Sequence, residues 1–482
     1  MIESQGCAPF ETFPDWAGGF LDDGQPINCR TRYVRPVPQG ERYTWQAPRL
    51  DRLRPRIRFR KRYRLHRTKE SLMKLPVDSL HPAPAGTGGR LLDGVRVLDL
   101  TTSIAGPYAT LLLSDLGADV IKVERPGTGD DTRAWGPPFL DGHSLWYLSV
   151  NRNKQSVTLD YSAPEGLAAL HELVRQCDVV VANLVPRVQR KLKVNHATLS
   201  ALRPDLVFCS ITGFGLEGAR AEKPSYDLIA EGYSGIMDIT GEAESPPQKV
   251  GAPAADMLSG MDAAMAIIAA LFERQRSGKG HVIDISMVES MTRFLNPRIM
   301  TYLGSGEVPR RTGAKDSVIA VYQSFDTADL PLTLGLGNDR IWQRFWDAVG
   351  EPEYAQDPRF SSNAKRHALR PEIVVHIQEL LLTKSRNEWL ALFEAKGIPC
   401  GPINRIDEIA ADPELARRGF FYRMEMDGTR VPQVGLGIAI DGQPPSPRSA
   451  PPMLGAHTDA VLRDLAGLDE ARINSLRSKS II

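Results

Sequence analysis

Val95-Arg96-Val97-Leu98-Asp99-Leu100 is a short apolar run, Ala105 to Leu116 has the texture of a helix, and after a stop at Gly117 a second run follows, Asp119-Val120-Ile121-Lys122-Val123-Glu124. Strand, helix and strand so closely spaced form a βαβ unit, whose right-handed crossover makes the two strands parallel. Apolar runs recur at Val179-Val180-Val181 and at Leu206-Val207-Phe208-Cys209-Ser210-Ile211, each behind a helical stretch (Pro164 to Gln176, Thr198 to Leu202). The fold class read from this pattern is α/β, with a doubly wound parallel sheet in a large domain.

Downstream, Pro253 to Arg276 reads as one long, mostly apolar helix closed by Ser277-Gly278-Lys279-Gly280, and Val282-Ile283-Asp284-Ile285-Ser286 as a further strand. A strand pair around Val318 to Leu334, then helices rich in Trp, Arg and Glu, indicate a smaller α/β domain. Residues 401–482 read as short helices and Pro-rich loops returning to the large domain. The resulting division is 1–90, 91–300, 301–400 and 401–482. The first of these is irregular and basic. Within it, Arg56 to Leu65 alternates cation with apolar residue, the period of a strand with one buried face or of an extended arm. Such an arm either binds a polyanion or clamps onto the protein body or a partner subunit. His81-Pro82-Ala83-Pro84-Ala85-Gly86-Thr87-Gly88-Gly89 reads as a linker.

A length of 482 residues allows several domains. The 59 Lys and Arg nearly balance 58 Asp and Glu, so no global field recruits nucleic acid or an anionic membrane. Five scattered cysteines without CxxC pairing suggest neither a disulfide framework nor a zinc site. The apolar stretch from Met261 to Phe272 is short for a membrane span and reads as a buried helix. The N-terminus lacks the basic start and apolar core of a secretory signal, so a cytoplasmic location is expected.

Glu124 ends the second strand where a dinucleotide-binding unit carries its ribose acid, but Thr102-Ser103-Ile104-Ala105-Gly106-Pro107 offers one glycine where that loop needs three. The phrases themselves point elsewhere. Leu92 to Leu100, Ala105-Gly106-Pro107 and Leu116-Gly117-Ala118-Asp119-Val120-Ile121-Lys122-Val123-Glu124 closely resemble the opening of the class III coenzyme A transferases, the family of formyl-CoA and carnitine CoA transferases. Further matches follow in register: Gly129-Asp130-Asp131-Thr132-Arg133, Asn151 to Val157, Ser210 to Gly215, Tyr226-Asp227, Arg274 to Gly280, and Gly397 to Pro402.

The resemblance implies an intertwined homodimer that exchanges coenzyme A between an acyl-CoA and a carboxylic acid, with no permanently bound cofactor and no metal. It assigns the covalent work to Asp256, which would pass through an anhydride and an aspartyl-CoA thioester; read from the residues alone, Asp256 is an ordinary helix cap. A carboxylate at a helix start is favoured by the dipole, which would keep Asp256 charged and nucleophilic. The same resemblance places Ile104 and Ala105 beside the thioester, Arg125 on phosphate, Leu159 in the adenine pocket, and Asn183 before a CoA-facing helix. Arg190 or Lys191 would meet phosphate, and Trp135 would border the acyl group. Glutamine stands at the Ile104 position in formyl-CoA transferases, and Thr312 to Ser317 lacks their glycine run, so oxalate and formate are not the indicated substrates. The sister branch of α-methylacyl-CoA racemases has histidine where Tyr226 stands, and a tyrosine is a poor base in its place. A non-catalytic subunit of a heteromeric transferase, and a lyase or hydrolase using the same aspartyl chemistry, complete the alternatives.

Overall fold

The structure is a computed structural model that describes residues 75–84, 90–445 and 447–482. The basic segment Arg56 to Leu65, Cys7, Cys29 and the end of the linker lie outside the described residues. Six strands form the main sheet: β1 (Arg96–Leu100), β2 (Asp119–Glu124), β3 (Lys154–Thr158), β4 (Val179–Ala182), β5 (Val207–Thr212) and β6 (His281–Ser286). They pair in the order β3-β2-β1-β4-β5-β6, all parallel. Strand order reverses between β1 and β4, and such a switch point opens a crevice beyond the strand ends where α/β proteins bind ligands.

Successive residues of each strand feed opposite cores, which is why the strands read as continuous apolar runs rather than alternating ones. Leu98, Ile121, Val180 and Phe208 pack against α2 (Pro164–Arg175) and against α11 (Thr458–Asp464) and α12 (Glu470–Ser478) at the end of the chain. Val97, Val120, Val181 and Cys209 pack on the other face, against α1 (Ala105–Asp115) and α5 (Ala254–Ser277).

Helix α5 ends at Gly278, whose φ of +66° supplies the left-handed cap that glycine tolerates best. By length and apolar composition this helix is sufficient to cross a membrane, contrary to the estimate from Met261 to Phe272 alone. Nor is it buried all round. Ala255, Ser259, Ala263 and Ile267 are buried, whereas Met261, Met265 and Phe272 on the other side are 51%, 64% and 62% exposed.

A second core lies after residue 320. Strands β7 (Tyr322–Phe325), β8 (Leu332–Gly335) and β9 (Cys400–Pro402) form an antiparallel sheet. Helices α8 (Asp339–Val349), α9 (Arg370–Leu381) and α10 (Arg386–Ala395) cover it through Trp342, Phe345, Trp346, Ile377, Trp389 and Phe393. The C-terminal region also holds a hairpin, β10 (Phe421–Met426) and β11 (Thr429–Val434), and the start of the expected linker, His81–Pro82, pairs with β10 instead of running free.

Candidate active site

The first element of the site is the turn after β1. At the switch point, Asn183 beyond β4 braces it: the Asn183 side-chain amide donates to the Thr102 carbonyl at 2.8 Å and accepts from the Thr102 N–H at 3.1 Å. Ser103 takes a φ of +68°, unfavourable for a residue with a Cβ, and its N–H donates to Asp130 Oδ1 at 3.1 Å. Gly106 is required here, since a Cβ on it would lie 2.3 Å from that of Thr101. Pro107 falls in the first turn of α1, where its missing N–H costs nothing.

The second element is the start of α5. Gly260 lets that helix press onto α1: a Cβ there would stand 2.7 Å from the Ala105 carbonyl oxygen. One turn earlier, Met257 joins Ile104, Leu111, Val150, Tyr108 and Trp135 in a small apolar cluster. Ile104, Tyr108, Trp146, Pro253 and Met257 line a cavity of 340 Å³ whose polar lining includes Arg152. The structure therefore brings together Ile104, Ala105, Trp135 and the helix turn carrying Asp256.

Asp256 is not the cap of its helix. The terminal N–H groups are taken by Asp227, whose Oδ1 accepts from the Ala255 N–H at 2.8 Å and the Asp256 N–H at 3.2 Å. Sequence reading quoted the Tyr226-Asp227 phrase without giving Asp227 this role, because the partners lie far apart in the chain. Among the described residues no hydrogen bond or ion pair reaches the Asp256 carboxylate. Burial, and then the neighbouring Asp227 charge, push its pKa up to about 7. The expectation that the helix start keeps Asp256 charged is corrected: Asp227 occupies the donors that would have favoured its ionised form, and desolvation outweighs the remaining dipole.

The other predicted contacts divide. Arg125 is exposed and ion-paired with Asp131. Leu159 is 1% exposed, its side chain sunk into the core beneath α2, where the alternation from Val157 carries it. The nearby cavity, 410 Å³, is lined instead by Tyr161, His171, Lys191 and Lys193, of which sequence reading had singled out only Lys191. Arg190 is tied to Glu222 at 2.8 Å, whereas Lys191 faces that cavity with no ion pair among the described residues. Asn183 is committed to the turn. Asp262, further along α5, pairs with Arg293.

The site does not fit a dinucleotide-binding dehydrogenase, because Glu124 is buried against Arg133 and Ser156 and not presented to a ribose. Comparison with known proteins agrees. The model of CoA-transferase family III matches residues 92–458, and the chain belongs to that family. It is a CoA-transferase. It is 37% identical over 394 residues to succinyl-CoA:glutarate CoA-transferase of Mus musculus, covering 81% of this chain and 90% of that protein. It is 40% identical over 385 residues to succinate–glutarate CoA-transferase of Agrobacterium fabrum, covering 78% and 96%. The crystal structure of a CAIB/BAIF family protein from Brucella suis superposes with a TM-score of 0.69 at 37% identity, over 78% of this chain and 99% of that one.

Proposed function

We propose that this transferase works by covalent catalysis at Asp256. The Asp256 carboxylate attacks the thioester carbonyl, forming an anhydride as the carbon–sulfur bond breaks and CoA leaves as thiolate. The thiolate attacks the aspartyl carbonyl and releases the donor acid, leaving an aspartyl-CoA thioester. The acceptor carboxylate attacks that carbonyl, again expelling thiolate, which takes the acceptor's acyl group and frees Asp256. Bonds balance without ATP or net hydrolysis. The observation that carries this reading is a half-buried carboxylate with no hydrogen-bond or ion-pair partner among the described residues, placed beside an apolar cavity at the switch-point crevice. Lys191 and the cavity beside it would receive CoA phosphate and adenine.

The donor and acceptor we infer are succinyl-CoA and a dicarboxylic acid, because the mouse and Agrobacterium relatives carry those substrates in their names. We also infer a homodimer: Met261, Met265 and Phe272 on the outward face of α5 are exposed, as are Phe294, Met300 and Leu303, and a second copy would cover such apolar side chains. Sedimentation giving a monomer would refute that assembly. The mechanism is tested by mixing the protein with succinyl-CoA and then hydroxylamine. Mass spectrometry is expected to find a hydroxamate on the peptide holding Asp256, and exchange activity in an Asp256→Ala variant would overturn the reading.

A further inference from the structure

Under the turn that precedes α1 lies a cluster of six charges. Asp99 and Lys122 are 0% exposed, Lys154 and Asp130 1% and Glu124 4%, and Arg133 closes the group on Glu124. Three carboxylates face three cations, so the cluster is neutral. Buried ion pairs are weak stability devices, since apolar residues of the same volume often serve as well or better. What this cluster does is hold backbone. Asp99 Oδ1 accepts from the Thr101 N–H at 3.0 Å, Lys122 donates to the Thr101 carbonyl at 2.8 Å, and Asp130 accepts from the Ser103 N–H at 3.1 Å. Lys154 reaches across to the helix itself. Its ammonium donates to the Pro107 carbonyl at 2.8 Å, to Asn151 Oδ1 at 2.9 Å and to Asp99 Oδ2 at 3.2 Å, which uses all three of its hydrogens.

We propose that Lys154, acting with Asp99, Lys122 and Asp130, is a positioning residue for CoA transfer: its buried ammonium locks the first turn of α1 to strands β1 to β3 and so holds Ile104 and Ala105 against the helix that carries Asp256. This rests on the transferase mechanism proposed above. The charged groups facing Lys154 are Asp99 on β1, Lys122 on β2 and Asp130 in the loop beyond β2, with α1 contributing a carbonyl and no charge. Burial, opposed by Asp99 and reinforced by Lys122, pushes Lys154 down to about 8. A neutral Lys154 has two hydrogens for three acceptors, and the tether to Pro107 or Asp99 slackens. The folded pKa lies below the unfolded one, so deprotonation from pH 8 upward does not by itself weaken the fold; linkage makes this group's contribution rise between about 8 and 10.4.

The experiment is a pH profile of exchange with succinyl-CoA and glutarate, for the unmodified protein and for Lys154→Met, with near-UV circular dichroism and CoA affinity measured alongside. The expected result is that kcat falls about tenfold per pH unit above roughly 8 while the fold and CoA affinity hold. Lys154→Met is expected to lose kcat on the order of a hundredfold, with little change in KM for acyl-CoA and without that alkaline limb. A kcat that stays flat to pH 9.5, or a Lys154→Met protein with ordinary kcat, overturns the positioning role. Should Lys154→Met not fold, the profile of the unmodified protein decides. Absence of exchange at every pH refutes the proposed donor and acceptor, whereas exchange without the alkaline limb refutes only this role of Lys154.

Discussion

Replacing Asp256 with asparagine should abolish exchange and at the same time make the protein more stable. The carboxyl is raised from 3.8 to about 7 by burial and by Asp227. A shift of about three units is worth about 4 kcal/mol at 1.36 kcal/mol per unit, a ceiling on what holding the ion in place costs the folded state. Asparagine keeps the shape and loses the charge, but it also forfeits an attraction to the helix start worth up to about 1 kcal/mol. The net gain expected is about 2–3 kcal/mol at pH 8. For the compact unit Leu72–Ile482 that is a rise in Tm of roughly 2–4 °C. Its sign with pH is fixed: the folded pKa exceeds the unfolded one, so the wild type's penalty is complete above about 7 and disappears as pH falls toward 4, and the two proteins should converge there. Thermal melts of both at pH 4.5, 6 and 8 measure this, with exchange assayed on the same samples. An Asp256→Asn protein that melts below wild type at pH 8, or a difference that grows as pH falls, would refute the account of a desolvated carboxylate awaiting substrate.

In the unmodified enzyme the same shift places the acid limb of kcat/KM near pH 7 rather than near 4, and a limb at pH 4 would show Asp256 to be solvated. Asp227→Asn removes the second cause of the shift, so that limb should move to lower pH; helix capping by Asn should limit the stability loss to about 1 kcal/mol, read by urea unfolding. Gly260→Ala gains up to about 1 kcal/mol of helix propensity but sets a Cβ 2.7 Å from the Ala105 carbonyl, and overpacking of about 1–3 kcal/mol should dominate, with exchange lost as α1 and α5 separate. Lys191→Ala should raise KM for acyl-CoA about tenfold, a loss of about 1.4 kcal/mol, while Arg190→Ala, whose cation is already spent on Glu222, should change it less than about twofold; equal effects would contradict the division of labour between them.

The strands and helices were legible because their signals are local: an apolar run, a stop at Gly117, a cap at Gly278. Strand order was not, since nothing within β4 states that it pairs with β1 and not with β3. Yet that order creates the crevice, and with it the meeting of Asn183 with Thr102. The same limit hid Asp227, which serves a helix start 28 residues away. A partial signal was present in Asp119-Val120-Ile121-Lys122-Val123-Glu124, where Lys122 falls on the inward side of a strand between Val120 and Glu124. An inward lysine is costly unless met by carboxylates, so its position alone demands partners such as Asp99 and Asp130. Leu159 carries two readings at one position. Resemblance assigned it to a pocket, while its alternation with Val157 already pointed its side chain into the core. The two are compatible, because burying the apolar side chain is worth about 1.5–3 kcal/mol while a pocket wall can use the backbone at the same position.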